Sequence, residues 1–141
     1  MISTKGRYAL RVMADLASQG EGARIPLKDI ARRQDISKKY LEIIMRELVS
    51  GGLVAGASGK GGGYRLLRPA GEYTLGEILD LTETSMAAVA CLASDAEPCP
   101  RAATCPTLPV WIEYDRLVKD FFHSKRLSDL VPPADGQKAL K

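Results

Sequence analysis

Cys91, Cys99 and Cys105 are all the thiols in this chain, and they fall within fifteen residues at the spacing C-x7-C-x5-C. Closely spaced thiolates are soft donors that bind iron–sulfur clusters or zinc, and such sites usually take four ligands. Pro98, Pro100 and Pro106 punctuate the same stretch. They bar a long helix there, so it reads as a loop able to bend three sulfurs toward one centre. Asp95 and Glu97 lie inside the loop as candidate fourth donors, although solvated loop charges are the commoner role for such residues. His123 is the only histidine. It sits well along the chain and reads as a surface or interface residue. A small molecule or water could also complete the site. Free thiols with no cofactor, or a thiol redox switch, are the alternatives.

A second set of residues suits a polyanion. Ser37, Lys38, Lys39 and Tyr40 are followed by Glu42 and Arg46. Lysines and hydroxyls can meet phosphates and bases, and a carboxylate can accept a hydrogen bond from cytosine N4. Arg46, one turn after Glu42, could contact a phosphate or pair with that carboxylate. Downstream lies a stretch almost free of side chains, with Ser58 and Lys60 leading into Gly61, Gly62 and Gly63. Its backbone can approach a phosphate closely. It lacks the G-x-x-x-x-G-K-[ST] spacing of a nucleotide-phosphate loop, and no helix follows it. An ordinary hairpin turn is the plainer reading.

The elements that must carry these residues are legible. Thr4 is placed to cap a first helix, with Tyr8, Ala9, Val12, Met13, Leu16 and Ala17 on one face and Gly20 and Gly22 ending it. Pro26 suits the first turn of a second helix carrying Leu27, Ile30 and Ala31. A tight turn at Asp35 and Ile36 leads to Ser37, the cap of a third helix. Leu41, Ile44, Met45, Leu48 and Val49 repeat along it until Gly51 and Gly52. Residues 53–55 and 64–67 read as two short strands around the glycine-rich tip. Thr74 and Glu77 have capping-box spacing and open a fourth helix through Leu81. From about Pro109 a long helix aligns Trp111, Tyr114, Leu117, Val118, Phe121 and Phe122 on a face that is either core or contact with a second copy. The segment "LSDLV" forms one more turn, and residues 132–141 read as a disordered tail.

Two short helices, a tight turn and a two-stranded hairpin spell a winged helix-turn-helix: a mainly α fold with a small β-hairpin wing and a long C-terminal helix. Residues 1–70 form the predicted DNA-binding region, and residues 71–131 hold the cysteine loop and the later helices. Charge follows this division. Residues 1–70 carry 13 Lys/Arg against 6 Asp/Glu, a net of +7, and residues 71–141 carry 7 against 11, a net of −4. The basic half points to a polyanion partner. No apolar run approaches the roughly 18–20 residues that cross a bilayer, and Arg7, Arg11 and Asp15 interrupt the N-terminal apolar residues, unlike a secretory signal. A cytoplasmic location is expected, and with it no disulfide framework. One lone histidine offers no nucleophile–base–orienter set, so an enzyme is not expected. A small iron–sulfur electron carrier would account for the thiols but not for the basic helix or the wing. A protein–protein adaptor is a further rival.

The motifs "STKGRYAL", "ISKKYLEIIMRELVSGGLV", "GKGGGYRL" and "YTLGEIL", in this order, resemble the IscR/NsrR-type regulators, bacterial winged-helix transcription factors of the Rrf class. The resemblance covers nearly all of residues 1–130. It implies a homodimer that binds a roughly palindromic double-stranded DNA operator, with the long helix crossing to the partner through the stripe from Trp111 to Phe122. It assigns Ser37, Lys39, Tyr40 and Glu42 to the recognition helix, and Lys60 with the backbone of residues 61–63 to the wing. Some members carry an arginine just before the wing glycines, where this chain has Ser58. Cluster-binding members place three cysteines between the fourth helix and the long helix, which implies a 2Fe–2S or 4Fe–4S cluster on Cys91, Cys99 and Cys105. Some supply a histidine three residues after the third cysteine, where Leu108 stands here. Others use a carboxylate from the partner's first helix, where Arg7 stands here. Relatives without the cysteines still regulate genes, one type by docking a cysteine-biosynthesis enzyme as co-regulator.

Overall fold

The computed structural model describes residues 1–20 and 22–132. Within them five α-helices and one antiparallel hairpin follow in order: α1 (Thr4–Ser18), α2 (Leu27–Gln34), α3 (Lys38–Ser50), β1 (Val54–Ala57), β2 (Gly63–Leu66), α4 (Leu75–Thr82) and α5 (Leu108–Ser124). The expected tail, residues 132–141, lies outside the described residues except for residue 132. Every predicted element exists, with corrections at the edges. Ser3 rather than Thr4 caps α1, because its hydroxyl accepts from the Gly6 N–H at 3.0 Å. Pro26 is the N-cap of α2 rather than part of its first turn. The strands shift from residues 53–55 and 64–67 to 54–57 and 63–66 for two reasons. The Leu53 N–H still closes α3 by bonding to the Leu48 carbonyl, and the Leu67 N–H is taken by the Tyr73 hydroxyl.

The core gathers the inward faces of the first four helices and the wing base. Val12, Met13, Ile30, Leu41, Ile44, Met45, Leu48, Val54, Tyr73 and Ile78 are almost completely buried. One carboxylate joins them. Asp15 receives a two-pronged contact from the Arg33 guanidinium at 2.7 and 3.0 Å and a bond from Gln34 Nε2 at 2.8 Å, which locks α1 to the end of α2. That hydrogen bond holds the Arg33 guanidinium above its ordinary pKa. The Asp15 side chain is 2% exposed, so without those donors its charge would be stranded.

The chain returns to this core after α5. The Leu75 N–H bonds to the Lys125 carbonyl, the Leu127 N–H to the Tyr73 carbonyl, and Leu127, in a short 3-10 turn, is fully buried. The C-terminal end of α5 is therefore rooted in the winged domain. His123 reinforces the root: its Nε2 lies 2.9 Å from an Asp80 oxygen, and its ring occupies the space a Cβ on Gly76 would need.

Candidate nucleic-acid interface and cysteine loop

Helix α3 is buried along one side and bare along the other. Ser37 Oγ accepts from the Tyr40 N–H at 3.2 Å and fixes the first turn. Lys38, Lys39, Glu42 and Arg46 are exposed. Among the described residues no ion pair joins Arg46 to Glu42, and both line one open cleft of about 640 Å³ between α3 and the hairpin. Ser58 lines its other side. Tyr40 differs from its neighbours. It is half-buried, its ring meeting Tyr8 edge-on at 5.8 Å between centroids, so it braces α3 against α1 as well as standing at the predicted surface. Sequence reading placed Val49 on the apolar repeat of α3, but it is 40% exposed and lines the cleft, together with Ser50, Gly56, Ala57 and Tyr64, none of which was assigned to the site. For Tyr64 and Gly56 the signal lay in the hairpin's register, which pairs them and brings Gly56 against Val49 of α3.

The wing has a free tip and a fastened base. Ala57 pairs with Gly63, leaving residues 58–62 as the tip, where Ser58, Lys60 and Gly61 are exposed and Gly62 half-buried. Gly61 and Gly63 adopt φ of 76° and 138°, which side chains disfavour. At Gly63 there is also no room: a Cβ would lie 2.6 Å from the Ile25 carbonyl carbon. That approach permits a bridge in which Ile25 and Tyr64 exchange both backbone hydrogen bonds, at 2.8 and 2.9 Å, tying the wing to the entry of α2. The other end of the base is held by the buried Tyr73 hydroxyl. It donates to the Leu53 carbonyl at 2.6 Å and accepts from the N–H groups of Leu67 and Arg68 at 2.9 and 3.1 Å. Arg68 lies over the same ring and bonds Glu77 of α4 at 2.6 Å, which raises the guanidinium's pKa. Glu77 thus pairs with Arg68, where capping-box spacing alone would have sent it to its own helix start.

The cysteine loop has no comparable fastening. Residues 83–107 form isolated turns and one short 3-10 turn over Ala90–Leu92. Its start is tied back, because Glu83 accepts from the Ser3 N–H and hydroxyl. Cys91 is exposed, and Cys99 and Cys105 are half-buried; all three are free thiols. Among the described residues no three His, Cys, Asp or Glu side chains gather as a metal would require. The donor chemistry therefore fits an iron–sulfur cluster, while the convergence a cluster imposes is absent. Asp95 and Glu97 are exposed, Arg7 hydrogen-bonds Thr4, and His123 is engaged with Asp80. Cys105 stands apart electronically. The Thr107 hydroxyl, 3.4 Å away, and the N–H groups of Thr107 and Leu108 at the start of α5 donate to its sulfur and lower its pKa.

Helix α5 has no buried residue. Tyr114, Leu117 and Phe121 are more than half exposed, whereas Trp111, Val118 and Phe122 are half-buried. Val110 and Ile112 are exposed too, and the predicted stripe omitted them. Tyr114, Leu117, Val118, Phe121 and Phe122 join Met1, Ile2, Met86 and Ala88 around one apolar groove.

A bare basic recognition helix beside a glycine-tipped, firmly based wing defines a winged helix-turn-helix protein that binds DNA. The chain belongs to the Rrf2 family, described as an iron-dependent transcriptional regulator, which it matches over residues 2–133. IscR of Cronobacter sakazakii, named an HTH-type transcriptional regulator, is 35% identical over 130 residues, covering 92% of this chain and 79% of the relative. Among solved structures, CymR, the global cysteine regulator of B. subtilis, is 35% identical with a TM-score of 0.73, covering 92% of this chain and 95% of that one. T. potens IscR is 29% identical with a TM-score of 0.75, covering 100% of this chain and 93% of that one. The protein is accordingly a DNA-binding transcriptional regulator and not an enzyme. Among the described residues no helix is long and apolar enough to cross a membrane.

Proposed function

We propose that this regulator works as a cytoplasmic homodimer that reads a palindromic operator and senses iron–sulfur or redox status through its cysteine loop. The observation that carries the reading is the bareness of α5: a 17-residue helix with no buried residue, fastened to the winged domain at its C-terminal end and elsewhere held by one bond from the Ala88 N–H to Asp115. Such a surface is stable in water when a second copy covers it, and a symmetric pair sets two α3 helices about one turn of DNA apart. Within each half, Ser37, Lys38, Lys39, Tyr40, Glu42 and Arg46 face the major groove, while Ser58, Lys60 and the backbone of residues 61–63 follow the adjoining phosphates.

Cys91, Cys99 and Cys105 would hold the cluster, with the fourth ligand coming from outside this set. A bound cluster supplies a centre that oxygen, nitric oxide or iron shortage can dismantle. The chain's own part is mechanical. The loop joins the end of α4 to the start of α5, and Glu83 ties its first residue to the start of α1. Ordering or releasing the loop therefore bears on the helices that set the spacing of the two reading heads. A thiol-switched regulator without a cluster, working with a protein co-regulator, is the second reading. The lowered pKa of Cys105 and the likeness to a cysteine regulator favour it.

The test is anaerobic purification followed by footprinting on the protein's own upstream DNA. The expected protein is brown, contains iron and sulfide, loses its visible absorbance in Cys99→Ala, and protects two half-sites differently with and without the cluster. Colourless protein after anaerobic expression with ample iron refutes the cluster. Absence of any protected sequence refutes the operator.

A further inference from the structure

Ile43 is the one large apolar side chain in the middle of the bare face of α3. It is 41% exposed, although Leu41, Ile44, Met45 and Leu48 of the same helix are completely buried. The core of this helix is filled without it, and Ile43 is not among the residues packed against that core. Single exposed apolar residues are ordinary on protein surfaces. The place of this one is not. Lys39 lies one turn before it and Arg46 one turn after, and all three are exposed. Residues at that spacing share a helix face. Two cations therefore draw a polyanion onto the surface where Ile43 stands.

We infer that Ile43 reads the C5-methyl group of a thymine in the major groove of each half-site; the inference rests on the operator reading above. The thymine methyl is the apolar group that base edges present in that groove, and every other readable feature there is a hydrogen-bond donor or acceptor. An isoleucine can satisfy none of these. Set against guanine, cytosine or the adenine amine, it strips water from a polar edge and returns nothing. Set against a thymine methyl, it buries apolar surface on both sides. Its branched side chain has one strongly favoured rotamer in a helix, so little freedom is lost on contact. Ile43 thus selects a T·A pair, while Lys39 and Arg46 on either side hold the helix in the groove.

The test begins with selection of the operator from a random duplex pool by the full-length protein. Each thymine is then replaced singly by deoxyuridine, which removes the methyl and leaves the pairing edge intact. Wild-type protein is expected to lose about three- to fivefold in affinity at one thymine per half-site, the effect of one buried methyl group. Ile43→Ala, an exposed helical position where alanine is well tolerated, is expected to bind the thymine and deoxyuridine operators equally at the same salt concentration. An enriched operator with no methyl-sensitive position, or a deoxyuridine penalty that persists in Ile43→Ala, overturns the assignment of Ile43 alone. A pool that yields no enriched sequence overturns the operator reading and this inference with it. Capture of a protein partner that Ile43→Ala abolishes, with DNA selectivity unchanged, would assign Ile43 to a protein contact instead.

Discussion

The wing base and the cysteine loop are both irregular segments next to functional surfaces, yet they are built in opposite ways. Around the wing, every exposed turn is answered by a fixed point: the Ile25–Tyr64 bridge on one side, the Tyr73 hydroxyl with its three backbone partners on the other. In the cysteine loop the thiols have no common partner, and the backbone bonds of the turns between them are local, with one side-chain bond from Ser94 back to the Thr84 carbonyl. A reading head must present the same shape at each encounter with DNA, so it is finished within one chain. On the proposed function the loop is a sensing element that must have two shapes, and its order would then come from a second copy or a bound group.

The largest expected break in this comparison comes at α5. Leu117 and Phe121 are 62% and 53% exposed, so replacing both by Glu should leave the protomer folded. If the second copy covers this face, sedimentation should show a monomer. Operator affinity should then fall by roughly 100-fold or more, because the second half-site no longer benefits from tethering. A double variant that stays dimeric would place the copy-to-copy contact elsewhere and remove the reason given for the bareness of α5.

A smaller effect sharpens the wing side. Tyr73→Phe deletes the one oxygen that serves the Leu53 carbonyl and the N–H groups of Leu67 and Arg68. Stranding the buried Leu53 carbonyl and weakening the two half-buried N–H bonds should cost about 2 kcal/mol in urea unfolding. Backbone hydrogen exchange at Tyr64 and Leu66 should quicken in the same variant while the cysteine loop stays as it was. Equal acceleration in both regions would mean that the loop shares the wing's fastening.

The same contrast decides what the sequence made legible. Apolar spacing gave away α1, α2 and α3, because periodic burial leaves a periodic record. Ser37 and Thr74 announced their helices, because a cap needs an oxygen at one place. What stayed hidden were partners distant in sequence. Asp15 looks like an interruption of an apolar face until Arg33 and Gln34 arrive from another helix, and Tyr73 is one more aromatic until three backbone groups converge on it. The polar residues on the bare face of α3 were readable one by one, but its apolar members were not: Ile43 went unassigned and Val49 was counted with the apolar repeat. The cysteines announced their chemistry and not their geometry, since three thiols on a proline-broken loop carry no record of where they meet.

The smallest effect separates the three thiols from one another. In reduced, metal-free protein Cys105 should react with iodoacetamide at pH values below those at which an ordinary thiol becomes reactive, because its thiolate is stabilised by the Thr107 hydroxyl and by the backbone N–H groups of Thr107 and Leu108. Lowering a thiol's pKa populates the thiolate at lower pH, so the advantage should be seen below the ordinary thiol pKa and vanish once the pH exceeds it. Thr107→Val removes the largest of these donors and should move the Cys105 profile back up, a change that peptide mass spectrometry can follow site by site. If Cys105 kept its ordinary profile in the wild type, the thiol-switch reading would lose its chosen residue. The loop would then stand as a ligand set whose members become distinct only when a cluster makes them so.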